Sequence, residues 1–215
     1  MSNDIQRNNS RFSVKLIAAI GIGAALFFLL GRFVAIPVFA NTNLTFQYSL
    51  LAFFAALFGP IAGVLIGLIG HILVDMSWGW GIWWSWIIVS AFCGAGFGLV
   101  LKGMRFEGGL KARSIARFVI GTSLVHLVGW GLLAPVLDIL IYSQPANRVF
   151  TQGIIAAGTN ILTTAIVGSL LLIAYAKTRP AQGSLAIEDD VIENRIINND
   201  VTETVVEREL VDTLV

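Results

Sequence analysis

Residues 44–75 read LTFQYSLLAFFAALFGPIAGVLIGLIGHILVD, a stretch whose one formally charged residue is the aspartate at its end. The apolar run is too long for a single ordinary membrane helix, which needs about 20 residues, and a Gly59-Pro60 pair interrupts it. Proline lacks a backbone donor and restricts the residue before it, so this pair predicts a tight turn between short helices at about 46–58 and 61–76. The stretch predicts a helical membrane protein.

The whole chain has the composition of an integral membrane protein. Of its 215 residues, 56% are hydrophobic and 13% are charged, whereas soluble proteins carry about 25% charged residues. A chain of this length accommodates about six spanning helices of roughly 20 residues. We therefore predict an all-α, polytopic fold of six transmembrane helices in one compact bundle, with the helices at about 13–37, 46–58, 61–76, 84–101, 115–133 and 150–176.

Charge divides the chain into two parts. Residues 1–182 contain 12 Lys and Arg against 4 Asp and Glu, a net charge of +8, whereas residues 183–215 contain 2 against 9, a net charge of −7. We predict a membrane domain over 1–182 and an acidic, largely disordered cytoplasmic tail over 183–215. Six spans place ten of the twelve basic residues of the first part on one face. Because Lys and Arg are retained inside, the sequence predicts a multi-pass protein of the cell membrane with both termini cytoplasmic.

Five of the six tryptophans fall within nine residues, in the sequence WGWGIWWSW at 78–86. An aromatic belt at the membrane surface accounts for one or two rings on each side, and five rings exceed that number. Gly79 and Gly81 allow sharp backbone turns between the rings. We predict that this tryptophan loop forms a wall or lid over a planar ligand on the outer face.

Polar residues in or beside the apolar segments complete the predicted ligand site, because a polar group in a membrane helix is costly unless it has a partner. His71 and Asp75 share a helical face, where they either bond each other or contact a ligand. Asp138 either forms a loop clamp with Arg148 or contacts the ligand, and His126 is predicted to hydrogen-bond another helix. The predicted ligand-binding residues are Gln47, Asp75, Trp78, Trp80, Trp83, Trp84, Trp130, Asp138, Gln152 and Asn160.

The motifs of common enzyme classes are missing from the sequence. It contains no HExxH, no Cys-x-x-Cys, no phosphate-binding P-loop and no Gly-x-Ser-x-Gly, so metal, redox, nucleotide and acyl-transfer chemistry lack their usual residues. We predict no enzymatic activity, no catalytic residue, no metal or cofactor, and no nucleic-acid partner. Any transport by this protein would be driven by partner subunits.

The first helix contains the small-residue sequence AAIGIGAAL at 18–26. Ala19 and Gly23 lie four residues apart, as do Gly21 and Ala25. Small residues at this interval allow a second helix to approach closely. The second helix belongs either to this chain or to a partner subunit.

Together these features resemble the substrate-capture (S) component of energy-coupling factor (ECF) vitamin transporters. The sequence GIGAALFFLLGRF at 21–33, the stretch at 44–75 and the tryptophan loop are similar to a subfamily labelled riboflavin-type, and the resemblance covers about residues 13–177. It implies capture of a vitamin or vitamin precursor from outside, with riboflavin as one candidate, and association with a membrane coupling (T) subunit and two cytoplasmic ATPases.

The resemblance also implies where the contacts lie. The family's coupling contact, an Ala-x-x-x-Ala pattern on the first helix, corresponds here to Ala19 with Gly23 or to Gly21 with Ala25. Family ligand sites lie among the outer loops and the outer halves of helices four to six, which hold Trp83, Trp84, Trp130, Asp138, Gln152 and Asn160. A self-sufficient channel or facilitator and an intramembrane enzyme remain as alternatives, and flavins, pyrimidines, pyridoxine-like rings and corrinoids all suit a tryptophan-lined site.

Overall fold

The computed structural model of the protein describes residues 13–40, 42–79, 81–107 and 109–179. Arg7, Arg11, Trp80 and the acidic tail at 183–215 lie outside these described residues. Within them the chain forms six helices and a short hairpin, as the all-α prediction requires: α1 (Val14–Phe33), β1 (Ile36–Phe39), β2 (Thr42–Leu44), α2 (Gln47–Phe58), α3 (Pro60–Trp78), α4 (Trp84–Val100), α5 (Ala112–Tyr142) and α6 (Ala146–Lys177).

The helix lengths match the prediction for the second helix but not for the third, which was predicted to be short and instead has 19 residues. Among the described residues, α1, α3, α5 and α6 are long and apolar enough to cross a membrane, whereas α2 and α4 are shorter, with 12 and 17 residues. The predicted turn between α2 and α3 is confirmed. Gly59 has a positive φ of 84° and Pro60 opens α3, the helix position where a missing N–H costs least.

The described chain separates into two compact units. The larger unit contains residues 13–105 and 110–174 among those described, and it holds all of α1 to α5. Among the described residues, the smaller unit contains 106, 107, 109 and 175–179. Within the smaller unit, the rings of Phe106 and Tyr175 pack edge to face with centroids 5.4 Å apart.

Two predicted boundaries were wrong, at the ends of the first and fifth helices. The first helix ends at Phe33 and not near Pro37, because the chain turns into the hairpin β1–β2, in which Pro37 pairs with Asn43. Proline restricts its predecessor to extended backbone, so Ile36 begins a strand. Thr42 and Asn43, which were predicted to lie in a polar loop, therefore belong to strand β2.

The fifth helix runs to Tyr142, although a loop from Pro135 onward was predicted. A π-helical turn at Gly129–Leu133 precedes the proline, and the chain resumes as α-helix at Ala134. Proline is tolerated in the first turn of a helical segment, and the π turn changes the hydrogen-bond pattern just before it. The predicted loop at 135–148 shrinks to three residues, because α6 begins at Ala146.

Close packing against glycine holds the inner helices together. A Cβ atom on Gly63 of α3 would overlap the backbone of Gly94 on α4, and the same holds in reverse. On α1, Ala19 and Gly23 face inward, and a Cβ on Gly23 would lie 2.5 Å from Ile66 Cδ1 of α3. The Ala19–Gly23 pair therefore packs within this chain.

The other small pair of α1 faces outward. Gly21 and Ala25 are both exposed, and a Cβ on Gly21 would meet no atom within 4 Å.

The interhelical bond predicted for His126 is confirmed, because its Nε2 lies 3.0 Å from the hydroxyl of Thr164 on α6.

Candidate ligand-binding site

A cavity of about 380 Å³ opens among the ends of α3 and α5 and the beginnings of α4 and α6. This volume falls within the usual range of small-molecule sites, about 300 to 1,000 Å³. The odd-numbered helices end and the even-numbered helices begin at this side of the larger unit. The cavity is lined by His71, Asp75, Trp83, Trp86, Asp138, Gln144, Arg148, Val149 and Gln152.

The carboxylate of Asp138 orients two of the indole rings. Its Oδ1 accepts hydrogen bonds from Trp83 Nε1 at 2.7 Å and from the hydroxyl of Ser85, and its Oδ2 accepts one from Trp86 Nε1 at 2.9 Å. Trp83 and Trp86 lie three residues apart at the start of α4, where such residues are neighbours on one face. Asp138 is only 3% exposed, so these donors replace the water that a carboxylate would otherwise bind.

The predicted clamp between Asp138 and Arg148 is not formed. Within the described ranges the structure contains no ion pair between these residues, although both line the cavity. Three donors from the tryptophan segment already occupy the Asp138 carboxylate. Arg148 is exposed near the start of α6.

Asp75 fastens the tryptophan loop to α3. Its Oδ2 accepts the backbone N–H of Trp83 at 2.9 Å, and its Oδ1 lies 3.6 Å from His71 Nε2. The prediction that His71 and Asp75 share a helical face is thus confirmed. On the far side of the imidazole, His71 Nδ1 lies 2.5 Å from the hydroxyl of Ser90, which lies 2.7 Å from the hydroxyl of Tyr48. A line of hydrogen-bonding groups therefore connects α2, α4, α3 and the loop.

Tyr142 stacks on one face of the Trp83 ring. The two rings stack with centroids 4.1 Å apart and an interplanar angle of 24°, and the Tyr142 hydroxyl accepts the backbone N–H of Trp84 at 2.9 Å. The Trp83 ring is therefore fixed by a stacked ring and by the Asp138 carboxylate.

A smaller chamber of about 90 Å³ adjoins the cavity and shares His71, Asp75 and Trp86 with it. The buried Trp130 ring contacts Trp86 and Tyr48, with centroids 5.1 Å and 5.3 Å away. The remaining lining residues come from α1, the hairpin and helices α2, α3 and α6: Gly31, Thr42, Asn43, Thr45, Gln47, Val74, Trp78, Ala156 and Asn160. The guanidinium of Arg32 lies over the Trp78 ring, 4.2 Å from its centroid, a cation–π arrangement.

Most of the residues predicted to bind a ligand meet in these two spaces. The cavity and the chamber together are lined by Gln47, Asp75, Trp78, Trp83, Trp130, Asp138, Gln152 and Asn160. Trp84 is not among them, because its side chain is 48% exposed and lines neither space. Trp80 lies outside the described residues.

Several lining or supporting residues were missed by the predicted set. Trp86 carried a usable signal, because it lies three residues after Trp83 and on the same helical face. Arg148 and His71 were recognised as polar residues near the site but were left out of the predicted set. Arg148 was considered for a clamp with Asp138, and His71 for a bond with Asp75. Tyr142 and Gln144 gave no signal, because the predicted fifth helix ended well before them.

Comparisons with known proteins identify the family. Residues 11–177 match the model of the ECF-type riboflavin transporter, S component. The UPF0397 protein of Exiguobacterium sp. is 52% identical over 179 residues, which cover 82% of this chain and 98% of that protein. The UPF0397 protein of Enterococcus faecalis is 50% identical over 178 residues, with coverage of 82% and 97%.

A solved structure shows the same fold. The crystal structure of FolT bound with folic acid superposes with a TM-score of 0.54 at 18% identity, over 73% of this chain and 93% of that one. The family model covers all six helices and the whole candidate site. The chain therefore belongs to the ECF-type riboflavin transporter S component family, whose members are membrane proteins that bind the substrate for transport and are not enzymes.

Proposed function

We propose that this protein captures a planar vitamin or vitamin precursor at the outer face of the cell membrane and delivers it through an ATP-driven ECF transporter. The observation that carries the proposal is the cavity of about 380 Å³ with Trp83 and Trp86 in its wall. Both indoles are fixed by Asp138, and indole faces stack favourably on flat rings. A ligand entering the cavity meets a preformed aromatic surface.

Riboflavin is the first candidate ligand, because the matching family model carries that name. Folic acid, which is bound in the crystal structure of FolT, is a second planar candidate. Stacking contributes about 0.5 to 1.5 kcal/mol per aromatic pair, which does not separate one flat vitamin from another. Specificity must therefore come from polar groups, of which Gln144 lies in the turn before α6 and Arg148 and Gln152 lie in its first turns.

The proposed orientation has both termini in the cytoplasm. Lys102, Arg105, Lys111, Arg113 and Arg117 lie between or at the ends of α4 and α5, at the membrane face opposite the cavity. Because basic residues concentrate on the cytoplasmic side, the cavity then opens to the outside. The acidic tail at 183–215 extends the cytoplasmic end of the chain.

The proposed partners are a membrane coupling (T) subunit and two cytoplasmic ATPases. The sequence itself has no phosphate-binding P-loop, so the energy for delivery comes from other chains. The outward pair on α1, Gly21 with Ala25, is the proposed contact with the coupling subunit, because the pair at Ala19 and Gly23 is already used inside the chain.

The test is a titration of the purified protein with riboflavin, folic acid, thiamine, pyridoxine and cobalamin while tryptophan emission is followed. We expect saturable quenching by one of these vitamins at micromolar concentration or below. Trp83→Leu should abolish the quenching, whereas the matched Trp84→Leu should preserve it, because Trp84 lines neither space. Unchanged emission with every vitamin would contradict capture, and uptake into liposomes by this chain alone would contradict delivery by partner ATPases.

A further inference from the structure

Three polar side chains meet at the smaller chamber. Gln47, Trp130 and Asn160 line it, and they are only 6%, 1% and 4% exposed. Within the described part of the chain, neither Gln47 Oε1 nor Trp130 Nε1 has a hydrogen-bond partner, and both atoms are buried. Buried polar groups are nearly always paired, so these two atoms point to a partner that comes from outside the chain.

The two unpaired atoms are chemically complementary. Gln47 Oε1 is an acceptor, whereas the indole Nε1–H of Trp130 is a donor and cannot accept. The side-chain amide of Asn160 offers a donor and an acceptor beside them. A partner that satisfies both atoms must present an N–H or O–H donor to Gln47 Oε1 and an acceptor to Trp130 Nε1.

The side chains that carry these atoms are held in place. The Trp130 ring packs against Trp86 and Tyr48, and it lies on the π-helical turn of α5, a feature frequently found at functional sites. The Gln47 amide lies against Gly31 of α1, where a Cβ atom would overlap Oε1. Because rotation is restricted, the partner has to come to these atoms.

The chamber adjoins the main cavity, and the two spaces share His71, Asp75 and Trp86 in their walls. Its volume of about 90 Å³ is larger than one ordered water requires but far smaller than the cavity of about 380 Å³. It therefore suits the edge of one ring, while the rest of the ligand occupies the cavity beside Trp83.

We propose that the smaller chamber binds the imide or cyclic-amide edge of a planar heterocycle. The ring N–H donates to Gln47 Oε1, and the adjacent ring carbonyl accepts from Trp130 Nε1–H, with the Asn160 amide beside them. This inference rests on the proposed capture function and narrows its substrates to rings with a lactam or imide edge. Flavins and pterins have such an edge, whereas pyridoxine does not.

The test compares matched ligands on the unaltered protein. Binding of riboflavin is measured against 3-methylriboflavin, in which a methyl group replaces the imide hydrogen, and binding of folic acid against aminopterin, which lacks the ring carbonyl. We expect the altered edge to weaken binding by roughly tenfold or more, because it leaves a buried group unpaired. This comparison needs no variant and does not depend on the folding of one.

Variants then assign the effect to the chamber. Gln47→Leu should weaken riboflavin binding roughly tenfold. The variant should then bind riboflavin and 3-methylriboflavin with equal affinity. Gly31→Ala should weaken riboflavin binding as well, because the new methyl group displaces the Gln47 amide. The matched Gly21→Ala should leave binding unchanged, since its methyl group meets nothing within 4 Å.

The outcomes separate this inference from the capture function. Equal affinities for both members of each pair would mean that the chamber holds only water, which overturns the inference and leaves capture standing. Binding of pyridoxine but of no flavin or pterin would also overturn the inference about the chamber and leave the capture function standing. If no vitamin binds the unaltered protein, both proposals fail.

Discussion

Asp138 is the residue on which the aromatic wall depends. Its two oxygens bind two indole N–H groups and one hydroxyl, and hydrogen bonds to a charged acceptor contribute about 1.5 to 3 kcal/mol each. In Asp138→Asn, the side-chain NH2 group faces one or more of these donors, and an NH2 group cannot accept a hydrogen bond. The hydrogen bonds that orient the two indole rings are therefore weakened. We expect the dissociation constant of the captured vitamin to rise roughly tenfold, measured by fluorescence titration.

The control for this substitution is Glu107→Gln, which also replaces a carboxylate by an amide but at an exposed position that lines neither space. Its dissociation constant should equal that of the unaltered protein. Equal affinities for Asp138→Asn and the unaltered protein would show that the carboxylate does not position the rings.

Ser90 connects three helices through one hydroxyl. It lies within hydrogen-bond distance of His71 Nδ1 and of the Tyr48 hydroxyl, so Ser90→Ala removes a partner from two buried groups. We expect the free energy of unfolding to fall by about 1 to 3 kcal/mol, measured by denaturant unfolding in detergent. The matched Ser77→Ala should cost less, because the Ser77 hydroxyl bonds the Val74 carbonyl of its own helix and joins no second helix among the described residues. Equal losses in both variants would contradict the role assigned to Ser90.

At the scale of elements, α3 and α4 pack backbone against backbone. Gly94→Ala would drive its methyl group into the backbone of Gly63, which cannot move aside as a flexible side chain does. Overpacking of this kind costs typically about 1 to 3 kcal/mol, and we expect a lower melting temperature in detergent. Gly158→Ala serves as the control because its methyl group enters open space, and its melting temperature should stay the same or rise slightly. A Gly94→Ala protein as stable as Gly158→Ala would contradict the packing.

The two faces of α1 make a second prediction at this scale. Gly21→Leu enlarges the outward face, where there is open space, so stability and vitamin binding should be unchanged. We expect it to reduce copurification with the coupling subunit, because the larger side chain prevents close approach of a second helix. Gly23→Leu points at Ile66 and should instead lower stability itself. If the Gly21→Leu protein copurified normally with the coupling subunit, the contact would not lie at Gly21 and Ala25.

Element prediction from the sequence succeeded where the membrane dictates the answer. Backbone groups in a bilayer must be bonded within the segment, so long apolar runs had to be helices, and the Gly59-Pro60 pair had to separate two of them. It failed at Pro135, which normally indicates a helix end. The π turn at Gly129–Leu133 that carries α5 past this proline has no distinct sequence pattern.

That one error hid part of the site. The bonds from Trp83 and Trp86 to Asp138 join residues 55 and 52 positions apart, and they form only because α5 is long enough to return beside the start of α4. Polar residues in apolar helices, such as Gln47 and Asn160, were recognisable because a buried amide needs a partner. Tyr142 was not recognisable, since it was predicted to lie in a loop.

At the scale of the whole molecule, the orientation is open to a direct test. Cys93 is 0% exposed, so the unaltered protein should not react with a membrane-impermeant maleimide. A cysteine at Asn147, near the cavity, should be labelled in intact cells, whereas a cysteine at Lys111 should be labelled only after permeabilisation. The reverse pattern would place the tryptophan loop on the cytoplasmic side and contradict capture from outside.

The glycine contacts between α3 and α4 have a mechanical consequence. Where two backbones touch without intervening side chains, there is no soft layer that lets one helix slide past the other. Helices α3 and α4 should therefore move as one rigid body during vitamin delivery. The distance between a spin label on α3 and a spin label on α4 should be the same with and without vitamin. We expect movement around the bound vitamin to occur instead at α5 and α6, whose π turns interrupt the regular helical bonding.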